Sequence, residues 1–188
     1  MPQQELLVRL VRTLDDLKIP YMLTGSMASS LQGEPRSTHD IDILVALQES
    51  SLKGMTEAFP PSDFYLYEPS IRAAIDEKSM FNVINTKEGD KIDFWILTDE
   101  PFDRSRFARK IEEKIMGIGV QVSTPEDTIL AKLKWAVDSG GSEKQFTDAL
   151  RVYEVQYELL NFEYLSLWVG RLGLGELWNQ LRQRATPL

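Results

Sequence analysis

The chain changes character once, at Thr124-Pro125-Glu126-Asp127. A threonine cap, a proline at the first helical position and two acids in the first turn predict a helix start there. Everything beyond reads as helix, over about 125–138, 143–158, 161–172 and 174–184, with Ser139-Gly140-Gly141-Ser142 separating the first two. Before that point helices and strands mix. Leu6, Leu7, Leu10, Val11, Leu14 and Leu17 recur at helical spacing and predict an amphipathic helix over 3–17, ended before Pro20. Further helices are expected at 26–32, with Ser26 as a cap, and at 49–58, 70–77 and 102–110. Strands are expected at 21–24, 40–47, 64–67, 80–84 and 92–97, with one last strand within 114–123. The layout is α/β (α+β): a mixed β-sheet core flanked by helices over 1–123, followed by a C-terminal helical region, 124–188, packed on it.

Composition narrows the chemistry. The 188 residues carry 21 Lys and Arg against 29 Asp and Glu, a net charge of −8. A protein that grips nucleic acid along its length needs a basic face, so this balance disfavours that role and leaves room only for a local basic pocket. There is no cysteine, which excludes disulfides, thiolate nucleophiles and Cys-based zinc sites. The single histidine, His39, excludes histidine-rich metal sites. The N-terminus lacks the basic and apolar segments of a signal peptide, and no apolar run approaches the roughly 18–20 residues of a membrane span. A cytoplasmic protein without membrane contact is expected.

The surplus acids raise the question of whether some converge on a cation. In Asp40-Ile41-Asp42-Ile43 the two carboxylates share one face of a strand, roughly 6–7 Å apart, while the isoleucines point to a core. Side-by-side carboxylates repel unless a positive charge sits between them, and oxygen ligands favour Mg²⁺ or Mn²⁺. A solvated acidic strand edge is the other reading of this pair. Asp93 interrupts the apolar run Lys91-Ile92-Asp93-Phe94-Trp95-Ile96-Leu97, where a carboxylate is costly unless it is paired or ligates a metal. Lys91 shares its face and is the alternative partner. If the two strands are neighbours, Asp93 completes a three-carboxylate cluster. The third element is Leu23-Thr24-Gly25-Ser26, a strand running into a helix through Gly-Ser. A glycine permits close approach to a phosphate, and the Ser26 hydroxyl and helix N-terminal amides can donate to it. No P-loop motif occurs.

The ordered combination resembles the nucleotidyltransferase superfamily headed by DNA polymerase β-like enzymes. The family pattern is an apolar residue, Gly, Gly or Ser, about a dozen residues, then Asp-apolar-Asp/Glu-apolar. Here Leu23-Thr24-Gly25-Ser26 is followed after thirteen residues by Asp40-Ile41-Asp42-Ile43, and Asp93 matches the third acid on a later strand. Thr24-Gly25-Ser26 in place of a double glycine is a departure. Within the superfamily the chain is most similar to the small bacterial branch related to AbiEii-type toxins, where an Arg precedes the acids. Arg36-Ser37-Thr38-His39-Asp40-Ile41-Asp42 matches that R-x-[ST]-x-D-x-D pattern. The resemblance covers the first half of the chain. In the tail it implies a phosphate- or nucleotide-binding Lys on the first helix, matched by Lys132, and an Asp in the next, matched by Asp148.

What the resemblance implies is a Mg²⁺- or Mn²⁺-dependent transfer of a nucleoside monophosphate from an NTP to an acceptor, releasing pyrophosphate. Asp40, Asp42 and Asp93 would be the catalytic and metal-holding residues, and Gly25, Ser26, Arg36, Lys132 and Asp148 would bind nucleotide and phosphate. The acceptor is left open: tRNA, a protein or a small molecule, with a toxin role and a cognate antitoxin among the options. A non-catalytic binding or antitoxin-like module is the alternative, and a carboxylate-metal nuclease a third reading that the Gly-Ser loop disfavours. His39 reads as loop-end packing or a contact to an Asp. Trp135, Trp168 and Trp178 read as helix core.

Overall fold

The computed structural model describes residues 3–187. In chain order the elements are α1 (Gln3–Asp16), β1 (Tyr21–Thr24), α2 (Gly25–Gln32), β2 (Asp40–Val45), α3 (Leu52–Ala58), β3 (Phe64–Tyr65), α4 (Glu68–Glu77), β4 (Met80–Asn85), β5 (Lys91–Ile96), α5 (Pro101–Ala108), β6 (Ile111–Ile115), β7 (Ile118–Val122), α6 (Pro125–Asp138), α7 (Glu143–Gln156), α8 (Phe162–Arg171) and α9 (Gly175–Arg184). The expected α/β class holds: a mixed sheet of seven strands, with flanking helices and a helical C-terminal region. By compactness the chain forms two units, Met1–Thr24 with Thr38–Val122, and Gly25–Ser37 with Ser123–Leu188. The short segment holding α2 thus groups with the C-terminal helices.

The first unit is built on the sheet, in the order β3-β4-β5-β2-β1-β7-β6. β2 runs antiparallel to β1 and parallel to β5, and β4 runs antiparallel to β5. Alternation sorts the side chains. Ile41, Ile43, Val45, Ile92, Phe94, Ile96, Phe81 and Val83 are all buried on one face. Phe81 stacks on its register partner Phe94 with ring centroids 4.7 Å apart, and Phe59, just after α3, meets Phe94 edge-on at 6.4 Å. Arg9 of α1 fastens this layer by donating to the Ala58 carbonyl (2.6 Å) and lying 4.7 Å over the Phe64 ring. On the opposite face Met22, Leu44 and Phe107 make a smaller cluster with Trp95, Ala46 and Leu97. Towards the starts of β2 and β5 that second face turns polar.

Two local expectations in this unit are corrected. The single strand within 114–123 is instead the second arm of a hairpin, β6 paired antiparallel with β7. Its turn uses Met116 (φ 50°) and Gly117 (φ 81°). β6 was hidden because Glu112, Glu113 and Lys114 are all exposed, so it has no apolar alternation to read. The helix expected over 49–58 begins with a 3₁₀ turn, Glu49–Ser51, before α3.

The second unit is helical. Thr124 caps α6 as expected: its hydroxyl accepts from the Asp127 amide (3.3 Å) and donates to Asp127 Oδ2 (2.7 Å). Tyr164 donates to the other Asp127 oxygen at 2.6 Å, so this fully buried carboxylate is hydrogen-bonded at both oxygens, near a helix N-terminus. Gly33 ends α2 against α7. A Cβ there would lie 2.9 Å from the Val152 amide nitrogen, so only glycine permits that approach. Gln32 spans the same region, its side chain donating to the Ser123 carbonyl and its carbonyl accepting from Gln156. Trp168 and Trp178 are core, as expected, with Trp178 edge-on to Tyr153 at 5.5 Å. Trp135 is not: it is 47% exposed, because its position on α6 turns away from the packed stripe of Ile129, Leu133 and Ala136.

Candidate active site

The first unit carries the acids. Strand register, invisible to local sequence patterns, decides their arrangement: Asp40 pairs with Lys91 and Asp42 with Asp93 across the parallel β2–β5 ladder. All four side chains therefore share the polar face of the sheet. Thr24, the last residue of β1, flanks Asp42, and Asn82 of β4 flanks Asp93. Asp40 is exposed, Asp42 half-buried and Asp93 only 7% exposed. Lys91 Nζ lies 2.8 Å from Asp93 Oδ2 and 3.8 Å from Asp40 Oδ1. The hydrogen bond to Asp93 raises the Lys91 pKa above its ordinary range, against the opposing effect of burial, and the charges of Asp40 and Asp42 add to the rise. Trp95 Nε1 points to Asp42 Oδ1 at 3.4 Å. Asp93 Oδ1 is buried with no hydrogen-bond partner.

An unsatisfied buried carboxylate oxygen costs free energy on the order of 1–3 kcal/mol. Such an atom beside a second carboxylate, in a donor set made only of oxygens, fits a hard divalent cation such as Mg²⁺ or Mn²⁺. As they stand, the carboxylates share a face without closing on a point. Among the described residues no group of three His, Asp or Glu side chains is drawn together enough to hold a metal ion. His39 lies outside this arrangement, its side chain 88% exposed and Nδ1 3.9 Å from Asp90 Oδ1.

The second unit brings together Ser26, Arg36, Lys132 and Asp148. Gly25 opens α2 with φ 65°, a left-handed conformation that glycine adopts without strain. The helix is bounded at Gly25, so Ser26 is not a cap but lies in the first turn. Ser26 Oγ lies 3.0 Å from Arg36 Nη2 and 3.3 Å from Lys132 Nζ, both donors. Arg36 clasps Asp148 with two bonds, Nε to Oδ1 at 3.0 Å and Nη2 to Oδ2 at 2.8 Å. Lys132 Nζ also donates to Asp148 Oδ2 (2.8 Å) and to Gln145 Oε1 (2.9 Å). Lys132 is 5% exposed and Asp148 8%. Burial alone would raise the Asp148 pKa, but the hydrogen bonds and charges of Arg36 and Lys132 outweigh it and hold the carboxyl below its ordinary range. Two cations thus share one carboxylate beside a hydroxyl, an arrangement suited to anionic oxygen atoms.

Gln145 and Asn82 belong to these surroundings and have no place in the motifs. Gln145 was readable from its spacing, three residues before Asp148 on one helix face. Asn82 was not, since only the register with Asp93 gives it meaning.

No family model and no curated protein sequence matches the chain. Solved structures do. An antigenic nucleotidyltransferase-like protein from Paracoccidioides brasiliensis is similar at TM-score 0.53 and 18% identity, over 97% of this chain and 93% of its own. The antibiotic-resistance factor ANT(2'')-Ia is similar at TM-score 0.53 and 13% identity, over 96% of this chain and 95% of its own. The same factor in complex with adenylyl-2''-tobramycin gives TM-score 0.53 and 13% identity, over 92% and 97%. At these identities the likeness is one of fold, and the chain has a nucleotidyltransferase-like fold over nearly its whole length.

Proposed function

We propose that the protein is a divalent-metal-dependent nucleotidyltransferase, moving a nucleoside monophosphate from an NTP to an acceptor hydroxyl. The observation that carries this reading is the buried, unpartnered Asp93 Oδ1 in register with Asp42 and on one face with Asp40. Asp40, Asp42 and Asp93 would hold Mg²⁺ or Mn²⁺, which supplies neutralising charge for a triphosphate. In the second unit, Ser26, Arg36 and Lys132 bind phosphate oxygens, and the Gly25 backbone permits their close approach. Asp148 orients the two cations and keeps them from repelling each other. Asp93 accepts the proton of the attacking hydroxyl. The new bond joins the acceptor oxygen to the α-phosphorus, the bond from the α-phosphorus to the bridging oxygen of the β-phosphate breaks, and pyrophosphate leaves.

The acceptor is a tRNA, a protein or a small molecule. A resistance factor of similar fold is known with an adenylylated antibiotic, which makes a hydroxyl-bearing small molecule one class to try. Labelling of tRNA or protein would instead favour the AbiEii-like toxin role, with a cognate antitoxin as partner. The test is incubation of the protein with each of four α-labelled NTPs, Mg²⁺ and a cell extract or acceptor panel. Transfer of label that is lost in Asp93→Ala is expected. A blank from folded protein with every nucleotide and acceptor would favour the non-catalytic binding module.

A further inference from the structure

We propose that Lys91 is the resident counter-cation of the acid face, holding the place of a divalent ion and leaving it when the ion arrives, so that it sets the affinity of the site for metal. This rests on the metal-dependent reading above. Register places Lys91 opposite Asp40 and two residues before Asp93 on the same face. Its ammonium reaches both carboxylates, at 2.8 and 3.8 Å. One ammonium cannot neutralise both Asp40 and Asp93, and Asp93 Oδ1 stays unsatisfied. A divalent ion supplies the charge and the coordination that Lys91 does not.

The contrast with Lys132 shows why Lys91 can give way. Lys132 is 5% exposed and donates to Ser26, Gln145 and Asp148, so moving it would strand a buried charge. The Lys91 side chain is one-third exposed, and its flexible four-carbon stem starts at the first residue of β5. Swinging its head into water costs an ion pair, not a buried orphan charge. Metal binding at this face is therefore an exchange of cations.

The experiment measures Mn²⁺ binding by electron paramagnetic resonance for the wild type, Lys91→Met, Lys91→Arg and Asp93→Asn. A parallel measurement follows acetylation of the Lys91 amine by mass spectrometry as Mn²⁺ is titrated. Lys91→Met is expected to bind Mn²⁺ roughly tenfold tighter or more, the scale of removing one charge near the ion. It should melt below the wild type in chelator and gain more from added Mn²⁺, while Lys91→Arg restores the wild-type affinity. Acetylation of Lys91 should rise as Mn²⁺ saturates the wild type. Equal or weaker Mn²⁺ binding by Lys91→Met, or acetylation that stays flat or falls, overturns the exchange while leaving the metal-dependent reading in place. No Mn²⁺ binding by the wild type or by Lys91→Met overturns both.

Discussion

The two polar clusters differ in how their charges are matched. On the sheet face Asp40 and Asp93 share one lysine, and one buried oxygen of Asp93 has no partner. In the helical unit two cations share one carboxylate: Asp148 Oδ1 accepts from Arg36, and Oδ2 accepts from both Arg36 and Lys132. The first is short of positive charge and the second short of negative charge. A cluster made only for stability would match its charges internally. Under the proposed function each imbalance is a preference: a cation for the acids, anionic oxygens for the bases.

The largest expected effect comes from breaking the acid side. Asp93→Asn keeps the shape but removes a charge and the proposed proton acceptor, so transfer should fall by about 10²–10⁴-fold with the circular-dichroism spectrum unchanged. On the basic side the cost should appear in stability. Asp148→Ala leaves Lys132 buried without its ion-pair partner and should lower unfolding free energy by about 3–5 kcal/mol in urea titrations. Acid should reproduce part of this loss. The folded-state pKa of Asp148 lies below its unfolded value, so its contribution is complete above the unfolded pKa near ~3.9 and disappears as pH falls through the folded one. Urea titrations between neutral and strongly acid pH should show a stability slope that is smaller in Asp148→Ala. Gln145→Ala removes an acceptor from Lys132 and should cost about 1 kcal/mol. His39→Ala should change stability by under about 0.5 kcal/mol and leave transfer intact, since the imidazole is exposed and away from the acid pairing. A large effect there would redraw the boundary of the acid cluster.

Much of this was legible from residue order. Helical spacing placed α1, start signals at Thr124-Pro125-Glu126-Asp127 placed α6, and alternation placed Asp40 and Asp42 on one face. The cap at Thr124 was readable because its chemistry is local. The pairing of Asp42 with Asp93 was not, since register depends on tertiary packing between strands separated by about 50 residues of chain. Trp135 misled because its apolar surface suggested core, while helical phase pointed it outward. The strand β6 escaped because charged residues on both of its faces erase the two-residue period. Ser26 looked like a cap by type, but the helix begins one residue earlier, at Gly25.

That charged strand has a consequence for how copies of the chain behave in solution. An open seven-stranded sheet has two free margins where a like strand could add and propagate. One margin, β3, is two residues long and gives an incoming strand little to hold. The other presents the exposed charges of Glu112, Glu113 and Lys114 in succession, which an incoming strand would have to desolvate. Both ends of the sheet thus discourage polymerisation, one by shortness and the other by charge.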